Sequence, residues 1–468
     1  MFAAKVYTER RNRLRRELQS GLVLFPGNQE AAFNYPANTY SFRQDSNFSY
    51  FFGLDHPDLA GLIDLDGGID TIFGNDVDID DIIWMGKQST IKKQSMLVGV
   101  DHSAPLKELE ANIKTAYSKG KKIYFVPPYR GETIIQLSDL LGIPHSQVKS
   151  NASEDLIKAI IKLRMVKEEG EIAEIEKMVN VAYLMHTAAM KMAMPGVVER
   201  EIAGVLEGIA LSHGGLVSFP VILTINGQTL HNHYHGNVLK EGRMLVIDAG
   251  CEAELHYASD ITRTVPVGGK FSKKQQEIYE VVLNANITAT NAVKPGVPFR
   301  DIHLIAATEI VKGLKTLGLM KGDVQEAVNK GAHTLFFPHG LGHPLGLDVH
   351  DLEGLGENLV GYDNETIRSK EFGLAFLRFG RRLQKGFIMT IEPGIYFIPE
   401  LIDIWKAENK LAEFINYEKV ETYKDFGGIR IEDDVLVTET GYRVLGKPIP
   451  KTVKEIEEIM KSHSHKVT

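Results

Sequence analysis

LKEGRMLVIDAG, residues 239–250, and LQKGFIMTIEPG, residues 383–394, are the two stretches that decide the fold. In each, an apolar run ends at an acidic residue that precedes a turn, so Asp248 and Glu392 occupy the same position. Such a run, closed by glycine, indicates a buried strand that leads into a tight turn. The tripeptide PGV also occurs twice, at 195–197 and 295–297, each time between helix-like stretches. We therefore expect two related halves whose acid-ended strands converge on a pseudo-twofold axis.

Two further acids lie in strand-like sequence. Asp260 opens DITRTV at 260–265, where alternating β-branched residues predict a strand beside the first one, and Glu432 interrupts IRIEDDVLV at 429–437. An acid in an apolar strand costs free energy unless it is paired or bound to a cation. For any single acid, a strand-end carboxylate that is hydrogen-bonded to a turn is the alternative. Taken together with His343, the four acids suit a pair of divalent cations such as Mn²⁺, because hard cations prefer oxygen ligands. That set indicates hydrolysis.

Four motifs carry a resemblance to a known family: SFRQDS at 41–46, HGLGHPLGLDVHD at 339–351, TIEPG at 390–394 and GIRIEDD at 428–434. They resemble those of the pita-bread metallopeptidases, in the branch of aminopeptidase P and prolidase. The resemblance covers nearly the whole chain. It implies an α/β (α+β) fold, in which an amino-terminal α/β domain of the aminopeptidase P type, residues 1–160, precedes a pseudo-twofold pita-bread catalytic domain, residues 161–468.

The resemblance also assigns site residues, position by position. The ligands of two divalent metal ions, with Mn favoured, fall on Asp248, Asp260, His343, Glu392 and Glu432. Catalytic roles fall on Glu392, which would transfer a proton, and on His350 and His231, which would steady the tetrahedral intermediate and the new amine. Substrate contacts fall on His339, Arg378 and Arg430.

The activity implied by the resemblance is that of a Xaa-Pro aminopeptidase, which hydrolyses the bond between an N-terminal residue and a following proline. Prolidase, a Xaa-Pro dipeptidase, is the alternative, and a metal-free pita-bread binding module is a more remote one. Methionine aminopeptidase usually lacks an amino-terminal domain of this size. Arg378 separates the first two activities: facing the site, it would capture a dipeptide's carboxylate, whereas with Arg381 and Arg382 it would form a solvated charge cluster.

Several segments carry expectations of their own. Eleven residues separate Asp248 from Asp260, one more than is usual in the family, so a turn or bulge within 251–259 must absorb one. We expect the arginine-rich first helix to present a solvated face, residues 151–171 to form a connecting helix, and residues 401–425 to be a packed surface excursion. In the polar tail, His463 and His465 are expected to have no role.

Composition limits the possible partners. A formal net charge of −8 argues against nucleic acid, which calls for a basic face. The lone Cys251 cannot form an internal disulfide and is expected to be a small buried residue. No signal-peptide or membrane segment is evident. We expect a cytoplasmic homo-oligomer, a dimer or higher, that acts on peptides with proline in second position and binds neither nucleic acid nor membrane.

Overall fold

The computed structural model describes residues 1–461, so His463 and His465 lie outside the described residues. The chain divides into two units: Met1–Arg164 with Leu352–Leu359, and Met165–Asp351 with the residues from Val360 onward. Within the described residues, no helix combines the length and apolar character needed to span a membrane.

The first unit is built on a mixed five-stranded sheet. Its strand order is β6-β5-β4-β1-β7, with β1 antiparallel to β4 and parallel to β7. The strands are β1 (Leu22–Pro26), β2 (Ala32–Tyr35), β3 (Asn38–Thr39), β4 (Ala60–Asp64), β5 (Asp70–Phe73), β6 (His102–Ala104) and β7 (Ile123–Tyr124). The helices are α1 (Ala4–Glu17), α2 (Ser46–Phe52), α3 (Ile79–Met85), α4 (Ile91–Leu97), α5 (Leu109–Ser118), α6 (Gly131–Leu141), α7 (His145–Val148) and α8 (Glu154–Arg164).

The SFRQDS motif starts helix α2 and ties it to the sheet. The Asp45 carboxylate accepts hydrogen bonds from the backbone N–H groups of Asn47 and Phe48, both at 2.9 Å, which caps the helix. The Gln44 side chain accepts from the N–H of Asn28 at 2.7 Å, just beyond β1. The motif therefore fixes where the buried aromatic face of α2 meets the core.

Helix α1 corrects one expectation, because its arginines do not form a single solvated face. Arg10 is 1% and Arg11 is 0% exposed. The Arg11 guanidinium donates to Asp70 at 2.7 Å, and it also donates to three backbone oxygens, those of Phe51, Val98 and Gly99. Buried cations are tolerated when every donor finds an acceptor, and here the acceptors come from distant parts of the unit. The guanidinium groups of Arg10 and Arg11 therefore lie in the interior of the unit.

The connecting segment is two helices instead of one. Helix α8 ends at Arg164, and α9 begins at Glu169 with a capping box that Glu168 and Glu171 form. The expectation of one helix over 151–171 was wrong, because the capping box starts a new helix within it.

The second unit contains the remaining elements, except that the first three residues of α14 belong to the first unit. The helices of residues 165–461 are α9 (Glu169–Met192), α10 (Glu199–Ser212), α11 (Lys273–Asn291), α12 (Phe299–Thr316), α13 (Val324–Asn329), α14 (Glu357–Gly361), α15 (Pro399–Ala407), α16 (Tyr417–Glu421) and α17 (Val453–Lys461). The strands are β8 (Leu216–Val217), β9 (Ile222–Thr224), β10 (Met244–Asp248), β11 (Cys251–Glu252), β12 (Thr262–Pro266), β13 (Ile388–Ile391), β14 (Gly394–Tyr396), β15 (Gly428–Arg430), β16 (Asp433–Val437) and β17 (Tyr442–Val444).

The two halves of this unit share one backbone frame. The N–H of Gly196 donates to Leu239 O at 2.9 Å, and the N–H of Gly296 donates to Leu383 O at 2.8 Å. Each leucine N–H returns a bond to the valine of its PGV turn, at 2.8 and 2.9 Å. The helix pairs α9–α10 and α11–α12 precede the antiparallel sheets β12-β10-β9 and β13-β16-β17. The expected fold class, an amino-terminal α/β domain followed by a pseudo-twofold catalytic domain, is confirmed.

The hairpin between the two aspartates absorbs its extra residue locally. Strand β10 pairs with β12 so that Asp248 lies opposite Thr262. Beyond that pair, the N–H of Ser259 donates to Cys251 O at 3.0 Å, and His256 takes a left-handed conformation with φ 60°. A left-handed residue reverses the chain in little space. The added length is therefore confined to the hairpin's tip.

The segment between Glu392 and Glu432 folds into helices α15 and α16. Trp405 is 3% and Phe414 is 2% exposed, and the rings of Phe397 and Tyr423 stack at 4.9 Å. Its aromatic residues supply a core of their own, so the segment is a packed excursion.

Replacing Arg11 with methionine should destabilise the first unit. Each buried carbonyl left without a donor costs about 1–3 kcal/mol, so we expect a loss of about 3 kcal/mol or more in urea unfolding. Arg16→Met, on the same helix with 62% side-chain exposure, is the matched control and should change stability little. Equal effects of the two substitutions would contradict the assigned role of Arg11.

Candidate active site

Strand ends bring the four acids together. Asp248 is the last residue of β10, Asp260 lies two residues before β12, and Glu392 directly follows β13. Glu432 lies between β15 and β16, where its N–H donates to Thr262 O at 3.0 Å. This bond joins the two halves of the second unit and brings Glu432 of one half beside the strand that follows Asp260 in the other.

Asp260, His343 and Glu432 offer ligand atoms that all lie within 4.8 Å of one another. The Nε2 atom of His343 is 3.4 Å from Asp260 Oδ2 and 3.6 Å from Glu392 Oε1. Its Nδ1 is 3.1 Å from Pro344 O, a bond in which Nδ1 must be the donor, so Nε2 carries the lone pair. A metal-binding histidine is held in this way. We call Asp248, Asp260, His343, Glu392 and Glu432 the five-residue cluster.

Three buried carboxylates each have an oxygen atom that accepts no hydrogen bond from the described residues and so fits a cation. Asp248, Asp260 and Glu432 are 6%, 5% and 2% exposed. In each, one carboxylate oxygen, Oδ1 or Oε1, has no hydrogen-bond partner among the described residues. Buried polar atoms without partners usually indicate a missing ion or water. The donor set is rich in oxygen, so the residues fit hard divalent metal ions.

The pKa values of three acids are raised, which means that ionising their carboxyl groups costs free energy when no cation is bound. Burial raises the pKa of Glu392 to about 8; the charges of Asp260 and Asp248 raise it too, and that of Arg430 opposes them. Burial also raises the pKa of Asp260 well above its usual range, with the charge of Asp248 second, and raises that of Glu432 similarly, with the charge of Asp260 second. The cluster is therefore poised to exchange protons for a cation.

Arg430 braces the cluster from within strand β15. It is 3% exposed, and its Nη2 donates to Asp248 Oδ2 at 2.5 Å. Its Nε donates to the Thr262 hydroxyl at 3.1 Å, and that hydroxyl donates to Glu432 at 2.7 Å. One guanidinium thus orients acids from both halves.

Tyr396 is a site residue that sequence reasoning missed. Its hydroxyl oxygen accepts from Arg430 Nη1 at 2.9 Å and lies 2.9 Å from Nε2 of His339. The Nδ1 of His339 is 2.8 Å from Gly340 O, so Nδ1 donates and Nε2 accepts the tyrosine proton. Burial lowers the pKa of His339 to about 3, with the charge of Arg430 second, which keeps the ring neutral. The only sequence signal is the place of Tyr396, at the end of the strand that follows Glu392.

The structure places His350 directly against the cluster. Its ring centroid is 4.3 Å from that of His343. The residue after it is held by a pair that sequence reasoning also missed: Lys167 Nζ donates to Asp351 at 2.9 Å, and both side chains are 1% exposed. Asp351 follows His350, so this buried ion pair anchors the residue next to the imidazole.

His231 is an exposed residue on the loop between β9 and β10. Partial desolvation and then the charge of Arg430 lower its pKa, and the charges of Asp248 and His350 also act on it. This imidazole therefore lies within electrostatic range of the site.

The positive charge of Arg378 acts on residues of the site. Burial has the largest effect on the pKa values of Glu392 and His339, raising the first and lowering the second. The charge of Arg430 lowers both, and the charge of Arg378 also lowers both, to a smaller extent. Arg381 instead lies over the rings of Phe379 and Phe387, and the exposed Arg382 binds Glu365 at 2.8 Å. The three arginines have separate surroundings, which favours a site-facing Arg378 over a solvated cluster.

Comparison with known proteins agrees with this geometry. Residues 7–124 match the Aminopeptidase P, N-terminal domain, and residues 173–439 match Metallopeptidase family M24. The chain is 32% identical over 457 residues to the human Xaa-Pro dipeptidase, covering 95% of this chain and 89% of that protein. It is 33% identical over 432 residues to a probable Xaa-Pro aminopeptidase of Aspergillus fumigatus, covering 90% and 88%.

Among solved structures, a zinc-substituted Escherichia coli aminopeptidase P in complex with product matches with a TM-score of 0.81 and 28% identity, covering 99% of both chains. The family match extends over more than half of the sequence and contains the whole five-residue cluster. The chain belongs to metallopeptidase family M24.

Proposed function

We propose that the protein is a Xaa-Pro aminopeptidase that works with two divalent metal ions, Mn favoured, held by the five-residue cluster. The proposal rests on one observation: buried carboxylates whose oxygen atoms lack hydrogen-bond partners among the described residues lie beside the Nε2 of His343. The name of the Aspergillus relative supplies the substrate class, and the name of the E. coli structure supplies the aminopeptidase activity. We likewise propose residues 1–160 as the amino-terminal domain of the aminopeptidase P type and 161–468 as the catalytic domain.

The chain's own residues divide the chemistry. When bound, divalent metal ions lower the pKa of a water towards about 7 and polarise a carbonyl. Glu392 accepts a proton at its carboxylate and passes it to the leaving nitrogen, a task suited to a buried acid with a raised pKa. His350 and His231 donate to the tetrahedral intermediate and the new amine. His339, Arg430 and Arg378 contact the substrate.

A second candidate is a Xaa-Pro dipeptidase, and Arg378 is the observation that favours it. Its guanidinium suits the carboxylate of a dipeptide's terminal proline. A longer peptide places an amide there instead, which offers the guanidinium no carboxylate to bind. The human relative carries the dipeptidase name. We rank the aminopeptidase first because two named relatives and the amino-terminal domain point to it.

Location and assembly complete the proposal. A single cysteine, buried and without a disulfide partner, suits a reducing compartment, and we propose the cytoplasm. A homo-oligomer, dimer or higher, remains a prediction for light scattering.

Metal dependence and proline selectivity test the main proposal together. Wild type should release Ala from Ala-Pro-Ala but not from Ala-Ala-Ala, lose this activity on chelation, and recover it best with Mn²⁺. Glu392→Gln should lower kcat by roughly 10²-fold or more, because it removes the proton carrier. Full activity in protein shown by elemental analysis to be metal-free would sink the proposal.

The raised pKa of Glu392 predicts a pH-dependent stability in metal-free protein. A carboxyl whose pKa rises from 4.5 to about 8 on folding stabilises the fold fully below about pH 4.5, and that contribution is lost as pH rises to 8. The Tm of metal-free wild type should therefore fall over this range more steeply than that of metal-free Glu392→Gln. Glu439→Gln, at an acid with 74% side-chain exposure, is the control and should follow wild type. Parallel Tm profiles for wild type and Glu392→Gln would contradict the assignment.

Peptide length tests Arg378. If Arg378 binds a dipeptide's carboxylate, Arg378→Ala should lower kcat/KM for Ala-Pro by roughly 10- to 100-fold and spare Ala-Pro-Ala, since a charged hydrogen bond contributes about 1.5–3 kcal/mol. Arg382→Ala, with 55% side-chain exposure, should change neither substrate. A wild-type preference for Ala-Pro that only Arg378→Ala removes would make the protein a dipeptidase.

A further inference from the structure

Glu199, the first residue of helix α10, is a buried acid outside the five-residue cluster. It is 0% exposed. Its Oε1 accepts from the N–H of Ile225 at 2.8 Å, and its Oε2 accepts from the N–H and the side-chain amide of Asn237 at 3.2 and 2.8 Å. A buried carboxylate costs free energy unless such donors meet it, and the positive end of the helix adds support.

The two partners of Glu199 are the two ends of one loop. Ile225 directly follows strand β9, and Asn237 precedes the return to the LKEG turn before β10. The loop between them, residues 226–236, carries His231. A single carboxylate therefore closes the base of the loop that presents this imidazole.

Two further polar contacts hold the loop from its β9 side. The amide of Asn232 donates to the Thr224 hydroxyl at 3.0 Å, and the Nε2 of His235 lies 3.0 Å from Val221 O. These bonds link the loop to β9 and the residues just before it. Only the Glu199 contacts, among those described here, reach both ends at once.

Comparison of the two halves shows that the backbone frame alone does not explain the carboxylate of Glu199. The N–H of Glu199 donates to Asn237 O at 3.0 Å, and in the other half the N–H of Phe299 donates to Arg381 O at 3.0 Å. The same backbone bond thus forms in both halves, but the second half has a phenylalanine in this position, 0% exposed and packed on the ring of Phe379. The backbone frame does not require an acid in this position, because the second half forms it with Phe299. The acid is required by the loop of the first half, whose two ends it binds.

We propose that Glu199 is a positioning residue, which clamps the loop 226–236 so that His231 is held towards the five-residue cluster. The effect on turnover rests on the proposed function, because it acts through the role given to His231. A small displacement of a catalytic group is enough to slow the reaction strongly. Glutamine is the sharp substitution, because it keeps the shape but turns an N–H donor towards the donors of Asn237 or Ile225.

The first experiment measures hydrolysis of Ala-Pro-Ala. Glu199→Gln should lower kcat by roughly tenfold or more with a smaller change in KM, since misplacement affects the reacting step. In a His231→Ala background the same substitution should have little further effect. Glu201→Gln, at an exposed acid on the same helix end, is the matched control and should match wild type. An unchanged kcat in Glu199→Gln, or an equal loss in both backgrounds, would overturn the proposal.

The second experiment needs no turnover and so separates this proposal from the proposed function. Hydrogen exchange should speed up in residues 226–236 of Glu199→Gln and stay unchanged in β10 and β12. If wild type does not cleave Xaa-Pro bonds but exchange rises in this loop, the function fails and the clamp stands. If exchange in the loop matches wild type, the clamp fails whatever the activity. Should Glu199→Gln fold poorly, Asn237→Ala removes the side-chain amide, one of the three donors, and tests the same closure.

Discussion

The crowding of acidic side chains in a buried site is the constraint on which the second unit depends. Four carboxylates meet beside the imidazole of His343, and positively charged side chains lie next to them. Arg430 touches the cluster itself. Behind it, Arg263 and Lys451 bind Asp433 at 2.7 and 2.6 Å, and although burial acts to raise the pKa of Asp433, these cations hold it well below its usual range. Asp433 stays charged while its neighbour Glu432 is left with an open valence. The fold thus separates acids that are neutralised by the protein from acids that are left for a metal ion.

The pseudo-twofold frame supplies the geometry for this charge arrangement. Matching turns and matching strand ends place Asp248 and Glu392 in corresponding positions of the two halves, and the bond from Glu432 to Thr262 joins the halves. What differs between the halves is the loop that follows the frame. One half carries His231 on a loop tied to a buried acid, and the other carries Arg378 near packed aromatic rings. Shared backbone and divergent loops thus let one scaffold carry different side chains in its two halves.

Sequence predicted those features that depend on local pattern. Apolar runs that end in acids gave the strand ends, the PGV turns gave the two halves, and the resemblance gave the family and fold class, which are confirmed. The roles of the individual site residues stay predictions, although the structure brings the five-residue cluster, His339, His350 and Arg430 together. Features set by distant contacts escaped. The burial of Arg11 depends on carbonyls 40 and more residues away, and Tyr396, Lys167 and Asp351 gain their importance only from partners on other elements. An isolated charged residue in a sequence does not reveal whether such partners exist.

The hairpin that absorbs one extra residue between the two aspartates has an evolutionary consequence. Because the pairing of Asp248 with Thr262 fixes the strand register, length added near His256 changes the tip and leaves both acids where they are. A change of length at this point therefore leaves the strand register unchanged. Strand register, and not the number of residues between Asp248 and Asp260, is then the better basis for aligning this hairpin with another.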